Sequence, residues 1–286
     1  VVVTARRAET RLAETPQRIE VIDAVDLERT VAADLTDVLK KASGVDVIQY
    51  SGALSGIGIR GFRPQFSGIN KRSLLLIDGR ASGVTNLGTL RLDGIDRIEV
   101  LKGPSAAALS IAPNGGVGGV INVVPKRAGE DLTRLTASYG STSRFGGHWD
   151  VARRYGESRQ WGVRASGSLS GGDTPIDRQS ETTGVGALAL DYQGERYRSW
   201  LYLLAQTDRF DAPSRPFLMA AGLPVPKAPD GRLNVTQPWE WSRINDQSVL
   251  WRNEYDVTDQ VTLFADVGGS RTNVERFFGL PTITNA

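Results

Sequence analysis

The chain of 286 residues contains no cysteine, one histidine and one methionine. Without cysteine there is no disulfide framework, thiolate nucleophile or thiolate metal site, and one histidine cannot build a multi-histidine metal centre. An excess of charge of one sign is also missing, because 34 basic residues face 32 acidic ones and leave a formal net charge of +2. This near balance excludes the broad positive field that non-specific nucleic-acid binding requires.

Long hydrophobic runs are absent as well. The apolar stretch at Ser73–Ile77 stops at Asp78, whereas a membrane helix needs about 20 apolar residues. A helical membrane protein is therefore excluded. The sequence opens at Val1 without a basic and then apolar leader, so the compartment cannot be inferred from the N-terminus.

The first 127 residues predict an arm followed by a small mixed α+β globule. Residues 1–15 are polar after the opening five, which is typical of a mobile arm. Asp34 is an N-cap residue type, and the apolar residues from position 35 recur at i, i+3, i+4 and i+7, so a short helix is predicted up to Gly44. Asp23 or Asp26 opens an earlier helix. Short apolar segments between glycines and prolines predict strands at 19–22, 45–49, 56–61, 73–77, 95–101 and 117–124.

After Gly129 the pattern changes to alternation of apolar and polar residues over longer segments. We predict antiparallel strands at 132–139, 145–154, 160–170, 184–192, 196–208, 245–257 and about 260–277. From the second turn onward, short connections alternate with longer ones, as in outer-membrane β-barrels. A soluble β-sandwich is the alternative architecture, although it explains this asymmetry less well.

One motif is shared with nucleotide-binding enzymes. Residues 56–61 satisfy G-x-G-x-x-G, and Asp78 follows seventeen positions after Gly61. A dinucleotide site needs a helix N-terminus directly behind the glycines, but Pro64 and Gly68 follow here. The pattern instead favours a glycine-rich strand, and an NAD-dependent enzyme is disfavoured.

Several pieces of the first 127 residues together resemble the plug domain of TonB-dependent outer-membrane receptors, in the ferric-siderophore group. In chain order, they are VVVTA at 1–5, DVL at 37–39 with GV at 44–45, IRGF at 59–62, LIDG at 76–79, IEVLKGPSA at 98–106 and GGVINVV at 118–124. Lys102 stands where the family often has arginine, and residues 109–113 depart from the usual Leu-Tyr-Gly. The resemblance implies an α+β plug at 16–127, after an arm at 1–15, and an antiparallel transmembrane β-barrel portion at 128–286.

The same resemblance implies that the barrel is truncated here. Barrels of this plugged class have about 22 strands, while the sequence predicts about seven. At about 22 residues a strand, a whole barrel would need on the order of 480 residues. An open sheet with unpaired edges could not sit in a bilayer, so we expect this chain to be a fragment or a truncated gene product that cannot transport by itself.

The resemblance also suggests roles for particular residues. The segment Val1, Val2, Val3, Thr4 and Ala5 is similar to a TonB box, which would pair with the inner-membrane partner TonB, or else it is a strand of the plug. Arg60 and Lys102 would pair with barrel carboxylates. Arg63, Lys71 and Arg72 are either solvated loop charges or contacts to an anionic ferric chelate.

Aromatic residues supply further candidates. The loop at 209–244 holds Phe210, Phe217, Trp239 and Trp241 among six prolines, which suits an aromatic ligand pocket; the two tryptophans alternatively belong to the interfacial girdle or to loop packing. The tryptophans inside strands are predicted on the girdle or lipid face, and they are Trp149, Trp161, Trp200 and Trp251. His148, without neighbouring metal-ligand residues, is predicted to be structural.

The resulting function hypothesis is a monomeric receptor in the outer membrane of a Gram-negative cell, which imports a ferric siderophore and is energised by TonB. We expect no enzyme activity and no cofactor, since the siderophore brings its own iron ligands. The membrane lipid surrounds the barrel, and nucleic acid is not a partner. Alternatives are a receptor for cobalamin, haem or a sugar, and a soluble, secreted β-rich binding protein.

Overall fold

The computed structural model describes residues 2–3, 10–11, 18–29, 34–51, 54–62, 73–81, 91–103, 117–215, 218–224, 226–279 and 282–284. The predicted ligand contacts Arg63, Lys71, Arg72 and Phe217 lie outside these residues, as do Val1, Thr4 and Ala5. The elements of the first part are β1 (Val2–Val3), β2 (Thr10–Arg11), β3 (Ile19–Ile22), α1 (Ala24–Arg29), α2 (Leu35–Leu39), β4 (Val45–Ser51), β5 (Leu54–Ile59), β6 (Ser73–Ile77), β7 (Arg80–Ala81), β8 (Ile95–Lys102) and β9 (Gly119–Pro125).

The elements from β3 to β9, which we call the plug, contain a five-stranded mixed sheet and two short helices. The strand order is β3-β8-β9-β6-β7, and β9 runs parallel to β6 but antiparallel to β8. The helix predicted from Asp34 is confirmed as α2, since the Asp34 carboxylate accepts a hydrogen bond from the backbone N–H of Asp37 at 3.0 Å. This contact satisfies one of the free N–H groups of the first turn.

The glycine motif of the sequence lies in a strand, as expected. Residues 56–59 belong to β5, which pairs antiparallel with β4 as a separate hairpin. Arg60, with φ of 54°, and Gly61 form the turn that follows. Glycines in this arrangement present no helix N-terminus to a pyrophosphate, so the nucleotide interpretation has no support in the structure.

The second part is a seven-stranded antiparallel sheet in the order β10-β11-β12-β13-β14-β16-β17. The prediction of seven strands is confirmed, although β13 and β16 each begin four residues earlier than predicted. These additions are largely polar (SETT and WSRI) and lie outside the apolar alternation. The elements are β10 (Leu132–Gly140), β11 (Arg144–Tyr155), β12 (Trp161–Asp173), β13 (Ser180–Gln193), β14 (Tyr197–Asp211), β15 (Leu218–Met219), β16 (Trp241–Thr258), β17 (Val261–Phe277) and β18 (Thr282–Ile283).

The two ends of this sheet differ in their connections. Residues 156–160, 194–196 and 259–260 form short turns at one end, which we call the turn end. The connections 141–143, 174–179 and 212–240 lie at the other, the loop end. The short-turn and long-loop asymmetry is the one typical of outer-membrane barrels. No helix in the described part of the chain is long and apolar enough to cross a membrane.

The two faces of the sheet have different surroundings. The inner face packs on the plug: Val185, Ala189, Tyr202 and Leu204 join the plug residues of α2, β6, β8 and β9 in one hydrophobic core. The outer face carries large apolar side chains that are exposed to solvent, and Leu135, at 84% exposure, is the most exposed of those described. An exposed apolar face this extensive is what lipid contact requires. The exposed side chains that alternate onto it include Trp149, Trp161, Leu169, Leu190, Tyr197, Leu203, Val249, Trp251, Tyr255, Leu263 and Val267.

Trp200 corrects one sequence prediction. It was expected on the girdle or lipid face, yet it shares the inner face of β14 with Tyr202, two residues on. The guanidinium carbons of Arg127 and Arg252 lie 5.0 and 5.8 Å from its ring centroid. Two cations beside one ring hold it inside by cation–π attraction.

Candidate functional site

The site is the ionic interface between the plug and the inner face of the sheet, with Arg91 at its centre. Arg91 lies just before β8, and its backbone forms an isolated antiparallel β-bridge with Asp34. Its Nε and Nη2 donate to Asp208 Oδ1 at 3.2 and 3.0 Å, and Nη2 also contacts the carboxylate of Glu181. Thr183 Oγ1 and Gln206 Oε1 accept from the Arg91 side chain and backbone N–H, respectively. One plug residue thus contacts two neighbouring strands of the sheet.

The network is buried, and this determines its electrostatics. The side chain of Arg91 is 5% exposed and that of Asp208 is fully buried. Burial disfavours the charged guanidinium, but Glu181 and Asp208 outweigh it, so the pKa of Arg91 is raised above its ordinary value. Glu181 has a second cationic partner in Arg144 at 2.9 Å. The other hydrogen bonds described for Asp208 come from neutral groups, the amide of Gln206 at 2.7 Å and the hydroxyl of Thr183. Asp208 therefore depends on Arg91 for its positive partner.

A second contact joins the plug to β11. Asp93 Oδ1 lies 3.0 Å from Nδ1 of His148, the single histidine of the chain. Burial raises the pKa of the Asp93 carboxyl, but hydrogen bonds from His148 and Ser168 outweigh it and lower the pKa below its usual value. His148 therefore contacts the plug from the inner face of the sheet.

The segment that leads from β9 to β10 is fixed to both parts. Arg127 donates to Asp78 Oδ2 at 2.8 Å within the plug, and its carbonyl oxygen accepts from Arg164 Nη1 at 3.0 Å. Next to it, Lys126 Nζ lies 3.5 Å from the fully buried Asp150. At its C-terminal end, the plug is thus held to the sheet by the chain itself, by the hydrogen bond to Arg164 and by the ion pair with Asp150.

The two basic residues predicted to pair with the barrel behave differently. Pairing of Lys102 with a barrel carboxylate is not seen in the described part of the chain and stays a prediction; the ion pair that is seen joins Lys102 to Glu20 in β3, inside the plug. The physical reason is that β3 and β8 are neighbours, which places the carboxylate within reach. Arg60 extends its Nη1 towards Gly103; no ion pair to it is found in the described part of the chain, and its pairing with a barrel carboxylate stays a prediction.

The described aromatic candidates do not form one pocket. Phe210 is on the inner face but only 3% exposed, packed against Ile244. Trp241 points to the outer face, where the guanidinium carbon of Arg209 lies 5.6 Å from its ring centroid. Trp239 is 52% exposed, and its ring packs at a tilt against Phe277 with 5.1 Å between the centroids. A shared aromatic pocket of these three residues is therefore ruled out by their opposite faces and by burial. The positions of the two tryptophans fit the girdle alternative.

The N-terminal segment is described only at Val2–Val3, which pairs antiparallel with Thr10–Arg11 in a two-stranded sheet of its own. It is not a strand of the five-stranded plug sheet. Ladders of this length are weak, so this pairing leaves the TonB-box hypothesis as a prediction.

Sequence reasoning missed Arg91, Glu181 and Asp208. The two carboxylates are 90 and 117 positions from the arginine, and no motif connects them. A usable signal did exist in β14, where Gln206 and Asp208 are polar residues at inward positions next to apolar ones. Polar groups on a plugged inner face predict a polar partner on the plug.

Comparison with known proteins identifies the fold. Residues 11–120 match the family model described as TonB-dependent Receptor Plug Domain. The chain is 33% identical over 262 residues to the ferrichrome receptor FcuA of Yersinia enterocolitica. The matched region covers 91% of the chain and 34% of that receptor. It is 32% identical over 149 residues to the vitamin B12 transporter BtuB of Vibrio cholerae serotype O1, covering 49% of the chain and 23% of the transporter. The chain spans about a third or less of the length of these relatives.

Among solved structures, the ferric preacinetobactin receptor BauA of Acinetobacter baumannii superposes with a TM-score of 0.87 at 30% identity over 99% of the chain and 42% of BauA. The pyoverdine receptor FpvA of Pseudomonas aeruginosa PAO1 gives 0.81 at 19% identity over 96% of the chain and 40% of FpvA, which shows a common fold. The resemblance stated from the sequence motifs is thereby confirmed. The chain combines a plug domain of the TonB-dependent receptor kind with a seven-stranded antiparallel sheet that matches part of the barrel of such receptors.

Proposed function

We propose that this chain is the N-terminal portion of a monomeric outer-membrane receptor of a Gram-negative cell that binds a ferric siderophore and imports it with energy supplied through TonB. The observation that carries the proposal is the plug seated on the inner face of a sheet whose outer face is apolar. A plug held by buried charges blocks the lumen, so passage of a solute requires work on the plug.

The ligand class is supported by similarity that extends beyond the plug. The likeness to a ferrichrome receptor spans 91% of the chain, and that to the ferric preacinetobactin receptor spans 99%. The likeness to a vitamin B12 transporter covers 49%. Cobalamin is therefore the second candidate ligand, and a ferric siderophore is the first. In either case the chemistry is binding and gating, with no bond made or broken.

The ligand is tested by uptake. The complete receptor that contains this chain is expressed in an iron-starved strain that lacks its own receptors, and accumulation of iron-labelled ferrichrome is compared with accumulation of labelled cobalamin. Import of a ferric siderophore supports the proposal. Import of cobalamin alone, or of neither class across a panel of ferric siderophores, would contradict it.

Energy coupling is tested at the N-terminal segment. Val2→Pro removes a backbone donor and fixes φ, so it should prevent this segment from adding as a strand to a partner. Val2→Ala keeps the backbone donor and is the matched control. We expect uptake to fall steeply in V2P while surface level and ligand affinity stay unchanged, and V2A to behave as wild type. Unchanged transport in V2P would refute the TonB-box hypothesis.

A further inference from the structure

Residues 91–94 form a short turn before β8 that lies directly on the inner face of the large sheet, and we call it the docking loop. Arg91 contacts β13 and β14. Asp93 contacts His148 of β11 and accepts a hydrogen bond from Ser168 of β12. Four residues of the plug thus contact four neighbouring strands, all of which lie inside the described sheet and not at its edges.

Gly94 brings the backbone of the docking loop close to the same strands. A Cβ placed on Gly94 would lie 3.0 Å from the hydroxyl oxygen of Tyr202 in β14 and 3.1 Å from the Cβ of Ala187 in β13. The hydroxyl oxygen of Ser166 in β12 would be 4.0 Å away. Leu92 packs against the hydrophobic core that plug and sheet share. The docking loop therefore combines buried charge, apolar contact and close backbone approach.

The chain that leaves the plug holds the docking loop from behind. The backbone N–H of Lys126 donates to the carbonyl oxygen of Gly94 at 2.8 Å, and the Lys126 ammonium lies near Asp150 of β11. Only residues 126–131 separate β9 from β10. The docking loop, this connection and the large sheet therefore form one continuous unit.

The N-terminal part of the plug is attached differently. β3 stands at the edge of the plug sheet and pairs with β8 through four residues, and β4 and β5 form a two-stranded sheet of their own. A force applied at Val2–Val3 reaches β3 before it reaches β6, β8 or β9, because β3 precedes them in the chain. An edge strand can separate one residue pair at a time, whereas the docking loop can leave only by losing contacts to four strands together.

We propose that the docking loop is the fixed point of the plug during import: it stays on β11–β14 while the plug opens from β3. The passage for the solute then forms away from these four strands. The inference rests on the proposed import function and adds to it which wall of the lumen stays covered.

A disulfide tests whether the docking loop leaves the sheet. The chain contains no cysteine, and the 3.1 Å between the Cβ positions of Gly94 and Ala187 is close to the separation of about 3.5–4.5 Å in a disulfide. Gly94→Cys with Ala187→Cys is made in the complete receptor, the oxidised fraction is counted by thiol labelling after denaturation, and uptake of an iron-labelled ferric siderophore is measured before and after reduction. We expect no loss of uptake on oxidation.

The matched control is a clamp on the strand that is expected to separate. Ile19 and Leu101 are register partners in β3 and β8, so Ile19→Cys with Leu101→Cys joins these strands. The oxidised I19C/L101C receptor should lose uptake, and reduction should restore it.

Single cysteines provide a second measurement that needs no cross-link. Ser166→Cys changes one atom at a site that is 4% exposed beneath Gly94, and Ala42→Cys places a thiol at a 5% exposed site that follows α2. Cells that import the siderophore are treated with a water-soluble thiol reagent. We expect S166C to stay unlabelled and A42C to become labelled only while import is energised.

A loss of uptake in the oxidised G94C/A187C receptor that reduction restores, or labelling of S166C during import, would overturn the inference. Uptake through the oxidised I19C/L101C receptor would also overturn it, because the plug would then open without releasing β3. Import by the wild-type receptor is measured in the same strain, so a failure of the proposed function is seen separately.

Discussion

The strongest consequence of the plug–sheet network is that one arginine controls how firmly the plug is seated. Arg91→Ala removes the hydrogen bonds to Asp208 and Thr183 and the contact to Glu181. Glu181 keeps Arg144, but Asp208, fully buried, is left without its positive partner. Stranding a buried charge in this way costs about 3–5 kcal/mol, which is a factor of more than a hundred in the docking equilibrium.

The comparison variant is Arg159→Ala, which breaks an ion pair with Asp131 whose two side chains are 54% and 51% exposed. An exposed pair contributes about 0–1 kcal/mol. Both variants are made in the complete receptor in detergent, and plug release is followed by the urea dependence of protease cleavage within the plug. We expect R91A to release the plug at much lower urea concentration than wild type, and R159A to stay close to wild type.

A double variant tests whether the stranded carboxylate is the cause. Asp208→Asn combined with Arg91→Ala removes both charges, so the double variant should be less destabilised than R91A alone. A destabilisation in R91A of 1 kcal/mol or less, or simple additivity of the two substitutions, would refute the reasoning. In cells, the released plug should also admit large antibiotics that the closed lumen excludes.

Three further outcomes are expected from calorimetry of the plug transition in the complete receptor. Asp34→Ala removes the N-cap of α2 and should cost about 1 kcal/mol, with a fall of several degrees in melting temperature; an unchanged temperature would contradict the cap. Gly119→Ala places a Cβ 2.2 Å from a backbone oxygen of β8 at a φ of +150°, so it should destabilise by more than about 1 kcal/mol, whereas Gly129→Ala, with open space around it, should not. The pKa of Asp93 lies below its usual 3.8, so the stabilisation from its contacts with His148 and Ser168 is complete above pH 3.8 and is lost as the pH falls below that value. Between pH 4 and 3, the Asp93→Asn variant should therefore lose less stability than the wild type. Equal losses in the two proteins would argue against a role of the Asp93 charge.

The strands could be predicted from the sequence because their signal is local. Alternation with a period of two identifies a strand wherever one face is apolar, and this held for all seven strands of the large sheet. The loop-end extensions of β13 and β16 could not be found this way. Residues such as Ser180 and Glu181 are polar, and they are part of a strand because they pair with Asp211 and Phe210 of β14.

The lipid-facing side of each strand and the ionic site around Arg91 were harder to predict from the sequence, for physical reasons. In β14 the inward positions include Trp200 and Leu204, and the outward positions include Leu201 and Leu203, so both faces are apolar and hydrophobicity alone cannot say which one meets lipid. Arg91 stands in an unremarkable sequence, and its importance comes from partners brought together only by the docking of plug and sheet. Family resemblance directed attention to Lys102 instead, which pairs within the plug.

The position of β9 sets the order in which the molecule can assemble. This strand is the last of the plug to be synthesised, yet it occupies the centre of the plug sheet, with all seven residues buried between β8 and β6. Until it inserts, β6 and β8 present unpaired edges, and closing the parallel pair with β6 requires joining residues 46 positions apart, such as Ser73 and Gly119. Such non-local pairing is slow and leaves aggregation-prone edges. Insertion of β9 also brings β10 close to the plug, because only residues 126–131 separate the two strands.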